Sequence, residues 1–511
     1  MENFLSRVEN INNAVNGFVW GLPMLILLVG TGILMTCLTR FFQISHFKHW
    51  IKNTIGGIFK DSHVTAHTDK EDTQISQFQS LCTALAATIG TGNIAGVAAA
   101  IASGGPGAIF WMWIVAFFGM MTNFSENVLG IYYRRRNEKN EWCGGAMYYL
   151  RDGLGGKKGY RHLGSGLAVL FSVFCILASF GIGNMGQINS IAVNLNSVFG
   201  IPYIVTGICL MVFAALVIVG GLKRIAAVTE KLVPFMALIY MICALIVCAF
   251  HIDQFGAVFT SIIKSAFGMR AVGGGIVGSG VAMAVQFGMK RGVFSNEAGL
   301  GSSVMVHSSS NVREPVVQGM WGIFEVFADT IIVCSVTAFA VLSSGLVDLE
   351  TGKVISDQVS TALVAEAFST VFGKFGSAFI AIAIIPFAFS TVLGWSQYGS
   401  KAFEYLFGRK TIKFYHIVFV AFIVVGATMD LTLAWDLSDT FNGLMAIPNL
   451  IGVVTLSGTV MKITHNYVQR NILHMNVKPM LSALDDIQEL HEKELLEKAL
   501  QKELKEKEKT A

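Results

Sequence analysis

The sequence predicts an all-α polytopic membrane protein of about eleven transmembrane helices, ten of them forming two inverted five-helix units behind one extra N-terminal helix. Three observations lead there. Of 511 residues, 53% are hydrophobic and only 14% charged, where a soluble domain carries about a quarter charged. Mean hydropathy is +0.59. Long uncharged apolar runs recur, each able to cross the ~30 Å hydrocarbon core as a helix. The short alternating strands of a β-barrel have no counterpart.

The runs lie near residues 17–38, 79–102, 107–131, 165–192, 202–220, 232–250, 272–306, 317–343, 375–398, 414–429 and 440–461. They divide the chain into an N-terminal part with the extra helix (1–78), a first unit (79–250), a second unit (251–462) and a charged tail (463–511). The first 16 residues are polar, and no cleavable signal peptide is expected. Loops 39–78, 132–164, 221–231, 307–316 and 399–413, with Lys290 and Arg291, hold most of the loop cations. The alternate loops are nearly bare, with Arg7, Lys264, Arg270 and Lys353 among their few. Positive loops stay in the cytoplasm, which places the N-terminus outside and the C-terminus inside a cell (inner) membrane. Runs such as Arg134-Arg135-Arg136 are then topology anchors, and no nucleic-acid partner is expected. The tail alternates Glu and Lys at helical spacing, which fits a solvated cytoplasmic helix or a docking helix. The eight cysteines lie mostly in apolar runs without metal or redox spacing and fit small core residues.

Five crossings return the chain to the opposite side, so two successive five-helix units must be inverted. Three features echo between them. The first segment of each unit is rich in Gly and polar residues at mid-depth. The second carries acids, Glu126 in one and Glu325 with Asp329 in the other. A short amphipathic helix should follow each, near 145–154 and 359–371. Inverted repeats with interrupted first helices build transporters whose site lies at the repeat interface.

The first interruption is Thr88-Ile89-Gly90-Thr91-Gly92-Asn93. Each interior glycine costs a helix about 1 kcal/mol relative to Ala. Unwinding there frees amides that suit a carboxylate and carbonyls that suit a hard cation. Tight packing by small residues, as in Gly92–Gly96, is the competing reading. Around Gly273–Ser303 the second interruption is expected, with Gln286-Phe287-Gly288 near its middle. Gly183, Asn184 and Gln187 share one face of the fourth segment, for a substrate or for interhelical hydrogen bonds. In the ninth, Pro386 removes a donor from the turn before it. Ser390 and Thr391 fit either a sodium shell or bonds back to carbonyls, and Trp395 can close over a small substrate. Glu325 and Asp329, four apart, fit proton coupling or a fixed polar network, since intramembrane carboxylates are rarely idle.

The blocks "TIGTGNIAG" (88–96), "SGGPGAIFWMW" (103–113), "NEWCGGAMYYL" (140–150) and "RGVFSNEAGLGS" (291–302) resemble the alanine or glycine:cation symporter family, the sodium:alanine symporters. The resemblance covers the chain except its charged tail. It implies the leucine-transporter (LeuT) fold plus one extra helix, and symport of a small neutral amino acid with Na⁺ as coupling ion. It implies no cofactor and no enzyme activity. Carried over by position, Gly90, Thr91, Gly92 and Asn93 lie at the substrate, lined further by Gly183, Gln187, Gln286, Phe287, Gly288 and Trp395. The sodium ion falls on carbonyls of Ala86, Ile89 and Phe387 and hydroxyls of Ser390 and Thr391.

Overall fold

The computed structural model describes residues 2–66, 74–268, 277–429 and 432–510. Gly273 and the 272–276 start of the seventh apolar segment lie outside these residues. Helix dominates, and each of the eleven predicted segments carries it. Among the described residues, seven helical stretches are individually long and apolar enough to cross a membrane.

The extra helix is preceded by a second one: α1 (Glu2–Val19) and α2 (Leu22–Leu38) meet at Trp20-Gly21. The first unit opens with α3 (Gln77–Thr88), whose start is a capping box between Ser76 and Gln79. The chain breaks, resumes as α4 (Ala95–Gly104), and continues as α5 (Gly107–Tyr132). After a short helical piece, Ala146–Leu154, come α6 (Arg161–Phe180) and α7 (Gly186–Phe199), joined through a π turn at Gly181–Met185. The unit ends with α8 (Tyr203–Ile218) and α9 (Gly221–Phe250).

The second unit repeats this order. A connecting α10 (Phe255–Ala266) leads to α11 (Val277–Asn296), followed by an irregular stretch. Then α12 (Pro315–Val326) and α13 (Ser335–Ser343) are joined by a π turn at Phe327–Cys334. The short α14 (Ser360–Phe372) precedes α15 (Lys374–Phe407) and α16 (Ile412–Thr428). The last span, α17 (Thr432–Thr455), bends by 58° into α18 (Ser457–Asn471). The tail forms α19 (Asp485–Thr510).

The centre of the bundle is α5, which packs against α12 and α11. The approach to α12 needs glycine: a Cβ on Gly322 would stand 2.5 Å from Asn127 Nδ2 and 2.6 Å from Asn123 Oδ1. The periphery is apolar and uncovered. Val212, Phe213 and Leu216 on α8, Phe235 and Leu238 on α9, and Phe414 and Ile417 on α16 are all exposed, as a lipid-facing belt requires. Of the cysteines, Cys82, Cys143, Cys175 and Cys334 are buried, whereas Cys37 and Cys209 face outward. An outward thiol in an apolar run costs little against lipid, so the core expectation holds for only part of the set.

The charged tail docks on its own chain. Leu481, Ile487 and His491 are buried, and the Ala483 amide donates to the Tyr132 carbonyl at 2.9 Å. His491 meets the edge of Trp142 at 5.9 Å, and Glu494 pairs with Arg313. Arg134 and Arg136 flank the same indole at 3.8 and 4.4 Å. Arg134 is itself buried. It donates to the carbonyls of Ser308 at 3.3 Å and Ser310 at 2.8 Å, and to that of Val312. One guanidinium thereby pins the loop after the second break.

Two outcomes follow from this docking. Burial, then the charges of Arg134, Arg313 and Arg136, push His491 from 6.5 down to about 3. Docking therefore requires the neutral ring: its full contribution is present above pH 6.5 and is lost as pH falls from 6.5 toward 3. Hydrogen-exchange protection factors over 485–497 should decrease between pH 7.5 and pH 5, and His491→Gln should remove that dependence. Arg134→Ala strands three carbonyls beneath the tail. It should lower stability by about 1–3 kcal/mol, the usual cost of leaving buried acceptors without their donor, read as a lower unfolding midpoint in detergent.

Candidate functional site

The first break is built by one side chain. Asn93 Oδ1 accepts the Gly90 amide at 3.0 Å, so that amide no longer serves the Ala86 carbonyl four residues back. The Asn93 amide bonds the Gly90 carbonyl at 3.3 Å, which likewise withdraws the helical donor of Ile89. The turn Thr91–Asn93 is 3₁₀, tighter than the α-helices on either side. Two carbonyls, of residues 86 and 89, thus lose their i+4 donors at the α3 end of the turn.

The opposite amide of Asn93 fixes the turn to the second unit. Its Nδ2 donates to Asp329 Oδ1 at 2.6 Å and to the Asp329 carbonyl at 3.3 Å. Asp329 Oδ2 accepts Ser295 Oγ, from the end of α11, and Thr330 Oγ1, each at 2.8 Å. One buried carboxylate therefore ties both interrupted helices to the π turn between α12 and α13. Asn93 points toward this carboxylate, and it is Thr91 and Gly92 that face the cavity described next.

That cavity lies where the two breaks meet. Gly90, Thr91 and Gly92 form one wall, with Phe294 and Glu297 opposite. Ala87, Thr88, Gln187, Ile182, Thr391, Trp395 and Asn442 complete it. Thr91 Oγ1 donates to Gln187 Oε1 at 3.0 Å, and Gln187 Nε2 donates to the Ile182 carbonyl, at 3.1 Å, inside the π turn. Gly183 lies against Trp395, where any Cβ would collide with the indole. About 20 Å³ is open to the centre of a water-sized body, and a single water needs roughly 10–15 Å³ on that footing. An amino acid enters only if the walls separate.

Below Thr391 the hydroxyl pair points at one carbonyl. Ser390 Oγ donates to Phe387 O at 2.9 Å and Thr391 Oγ1 to the same oxygen at 3.1 Å. A Cβ on Gly90 would strike the Thr391 hydroxyl, and one on Gly394 would lie 2.9 Å from the Ala87 amide. The α3 end and α15 therefore touch along the stretch that holds Ala86, Ile89, Phe387, Ser390 and Thr391. Helix α15 runs unbroken through Pro386. The donor that proline lacks is missing on an exposed face, at Ile382.

The structure does not bring Gln286, Phe287 and Gly288 to the cavity. Helix α11 continues through all three, Gln286 is exposed, and Gly288 serves close packing on Ala108 and Trp111. The second break falls after Asn296, where Glu297, Gly299 and Gly301 take φ of 55°, 92° and 72°. Left-handed backbone at a non-glycine such as Glu297 is uncommon. Ser302 Oγ holds its carboxylate at 2.5 Å. Glu297, Phe294 and Asn442 are cavity residues that sequence reasoning missed. The signal available for Glu297 was its place within the Gly-interrupted block 291–302. Asn184 does not face the cavity either; its Nδ2 donates to the Phe419 carbonyl at 2.7 Å, an interhelical bond.

The other intramembrane acids are fixed in networks. Glu126 accepts from Asn449, which also donates to Gly299 O at 2.9 Å. Glu325 Oε2 faces His307 Nε2 at 3.0 Å. Gln318 Nε2 donates to His307 Nδ1 at 2.5 Å while its Oε1 accepts Ser310. That leaves the proton on Nε2, donated to Glu325. Glu325 and Asp329 bond to different partners: Glu325 to His307 and Asn123, Asp329 to Asn93, Ser295 and Thr330. Among the described residues no group of three or more His, Cys, Asp or Glu side chains could hold a metal ion.

Comparison with known proteins fits this geometry. The sodium:alanine symporter family model matches residues 5–480. The chain is 44% identical to the sodium/alanine symporter AgcS of Methanococcus maripaludis, over 90% of this chain and 97% of that one. It is 35% identical to the "Probable sodium/glutamine symporter GlnT" of Bacillus subtilis, over 91% of each. A solved structure of MhsT in complex with L-phenylalanine is 13% identical, with a TM-score of 0.49, over 77% of this chain and 99% of that one. The family is one of transporters, not enzymes. A multi-pass membrane chain whose two helix breaks converge on one polar cavity, matched almost end to end by the family model, belongs to the sodium:alanine symporter family and to its trade of cation-coupled amino-acid symport.

Proposed function

We propose that the protein imports a small neutral amino acid, alanine or glycine, coupled to Na⁺, by alternating access across the inner membrane, N-terminus outside and C-terminus in the cytoplasm. The observation that carries this reading is the single cavity shared by both breaks. The amides of Thr91 and Gly92, at a positive helix end, suit the substrate carboxylate. Glu297, across the cavity, suits its ammonium group. Trp395, seated on Gly183, and Phe294 wall off longer side chains. The carbonyls of Ala86, Ile89 and Phe387 and the hydroxyls of Ser390 and Thr391 supply oxygen ligands of the kind a hard cation takes. Substrate and ion then bind on the two sides of one turn, and filling either helps order it for the other. The two five-helix units rock about this site.

Relatives named for alanine and for glutamine make the side-chain wall the point of discrimination. Radiolabelled alanine uptake into proteoliposomes, competed by a panel that includes glycine and glutamine, reads it directly. Uptake should collapse when external Na⁺ is replaced by choline at fixed pH. Uptake that survives the exchange would favour a proton-coupled or exchange mechanism through the buried acids instead.

Asn93→Ala removes a hydrogen bond to a buried carboxylate together with the cap on Gly90. Such bonds contribute about 1.5–3 kcal/mol, so uptake should fall roughly 10- to 100-fold with the protein still present in the membrane. Unchanged uptake and unchanged alanine affinity would remove this turn from the site.

A further inference from the structure

A second cavity, of about 730 Å³, opens where α5, α6 and the bend between α17 and α18 meet the loop 132–164 and the start of the tail. Its cations are Arg135, Arg151, Lys157 and Arg161, and its one carboxylate is Asp152. Asp152 is already shared: Arg135 Nε lies at 2.7 Å, and Arg151 Nε and a terminal Arg151 nitrogen at 2.9 and 3.0 Å. Lys157 is steadied by a neutral group, the Thr455 carbonyl, at 2.6 Å. Arg151 is held further over the rings of Tyr148 and Tyr405, at 5.1 and 5.5 Å. Four positive charges against one negative leave a built, under-neutralised hollow.

The hollow has an apolar continuation. Arg161 and Ser165, in its wall, belong to the first turns of α6. Along the same helix Leu163, Val169, Leu170, Val173 and Leu177 are exposed, and Gly166 opens onto empty space. A soluble phosphate compound would use only the basic half. A phospholipid uses both halves, and basic hollows at the cytoplasmic ends of membrane helices suit anionic headgroups.

We propose that this cavity holds the phosphate headgroup of an anionic phospholipid, with its acyl chain along the exposed face of α6. The site lies apart from the transport cavity and does not depend on which amino acid is carried. Ala483 and Leu484 of the tail line it too, so the bound lipid bridges tail and bundle.

The test uses the purified full chain, delipidated and titrated by native mass spectrometry. The probes are phosphatidylglycerol, phosphatidylcholine of the same chains, and glycerol 1-phosphate. Phosphatidylglycerol should bind at least tenfold more tightly than phosphatidylcholine and should resist displacement by an equal concentration of glycerol 1-phosphate. Lys157→Gln with Arg161→Gln should weaken it roughly 10- to 30-fold, at about 1 kcal/mol per basic residue. Ser165→Glu, which removes no contact and adds a negative charge, should weaken it as well and decides alone if the double variant misfolds. Equal binding of the two lipids, or full affinity in the variants, overturns the proposal. Displacement by glycerol 1-phosphate also overturns it, by making the cavity a soluble-phosphate site.

Discussion

A peptide group released from its helix inside a bilayer has no water to turn to, and everything at the centre of this protein follows from how that debt of hydrogen bonds is met. At the first break a single side chain, Asn93, takes the Gly90 amide, and the carbonyls of residues 86 and 89 lose their helical donors. At the second, Glu297, Gly299 and Gly301 turn the backbone left-handed, and Ser302 and Asn449 take up part of the polarity. The breaks are therefore cheap enough to exist because polar side chains were placed to receive them. The groups left over define where a polar solute can sit.

The same constraint explains why the buried acids are spread among separate partners. Asp329 receives donors from α11 and from the first break, which joins the two interruptions mechanically. Glu325 receives His307 and Asn123. Glu126 receives Asn449, which reaches back to the Gly299 carbonyl. Glu126 on α5 and Glu325 on α12 are each tied to an irregular segment, and Asp329 lies in the π turn that follows α12. A carboxylate accepts several bonds at once, so it gathers donors from segments that cannot bond one another directly.

The spans were legible because membrane helices announce themselves by length and apolarity, and the first break because Gly90-Thr91-Gly92 is a poor helix interior. The second break was harder to place. Gln286-Phe287-Gly288 looks like an interruption, yet Gly288 exists to let α11 approach Ala108, and a glycine used for packing is written the same way as one used for a turn. Glu297 went unread although it stands in the Gly-interrupted block 291–302, because a glutamate's own identity does not mark a positive φ. The π turns were equally silent, and they decide the geometry. One carries Asp329, on which both interruptions converge, and the other puts the Ile182 carbonyl within reach of Gln187.

Under the proposed function, the closed cavity is what must open for a substrate to enter. Gly92 lies 3.5 Å from Phe294 and from Ser295 Cα by the measure of an added Cβ, and Thr91 is bonded to Gln187 across the hollow. Separation of these walls breaks one hydroxyl–amide bond and an aromatic contact. Both are replaceable by a substrate that carries its own donors and acceptors. The Asn93–Asp329–Ser295 bonds lie behind the wall, in the part that ties the two breaks together. The charged, stronger contacts therefore hold the interrupted helices as one body. On the proposed reading, the contacts that part when the site opens are neutral ones, between Thr91 and Gln187 and between Gly92 and Phe294.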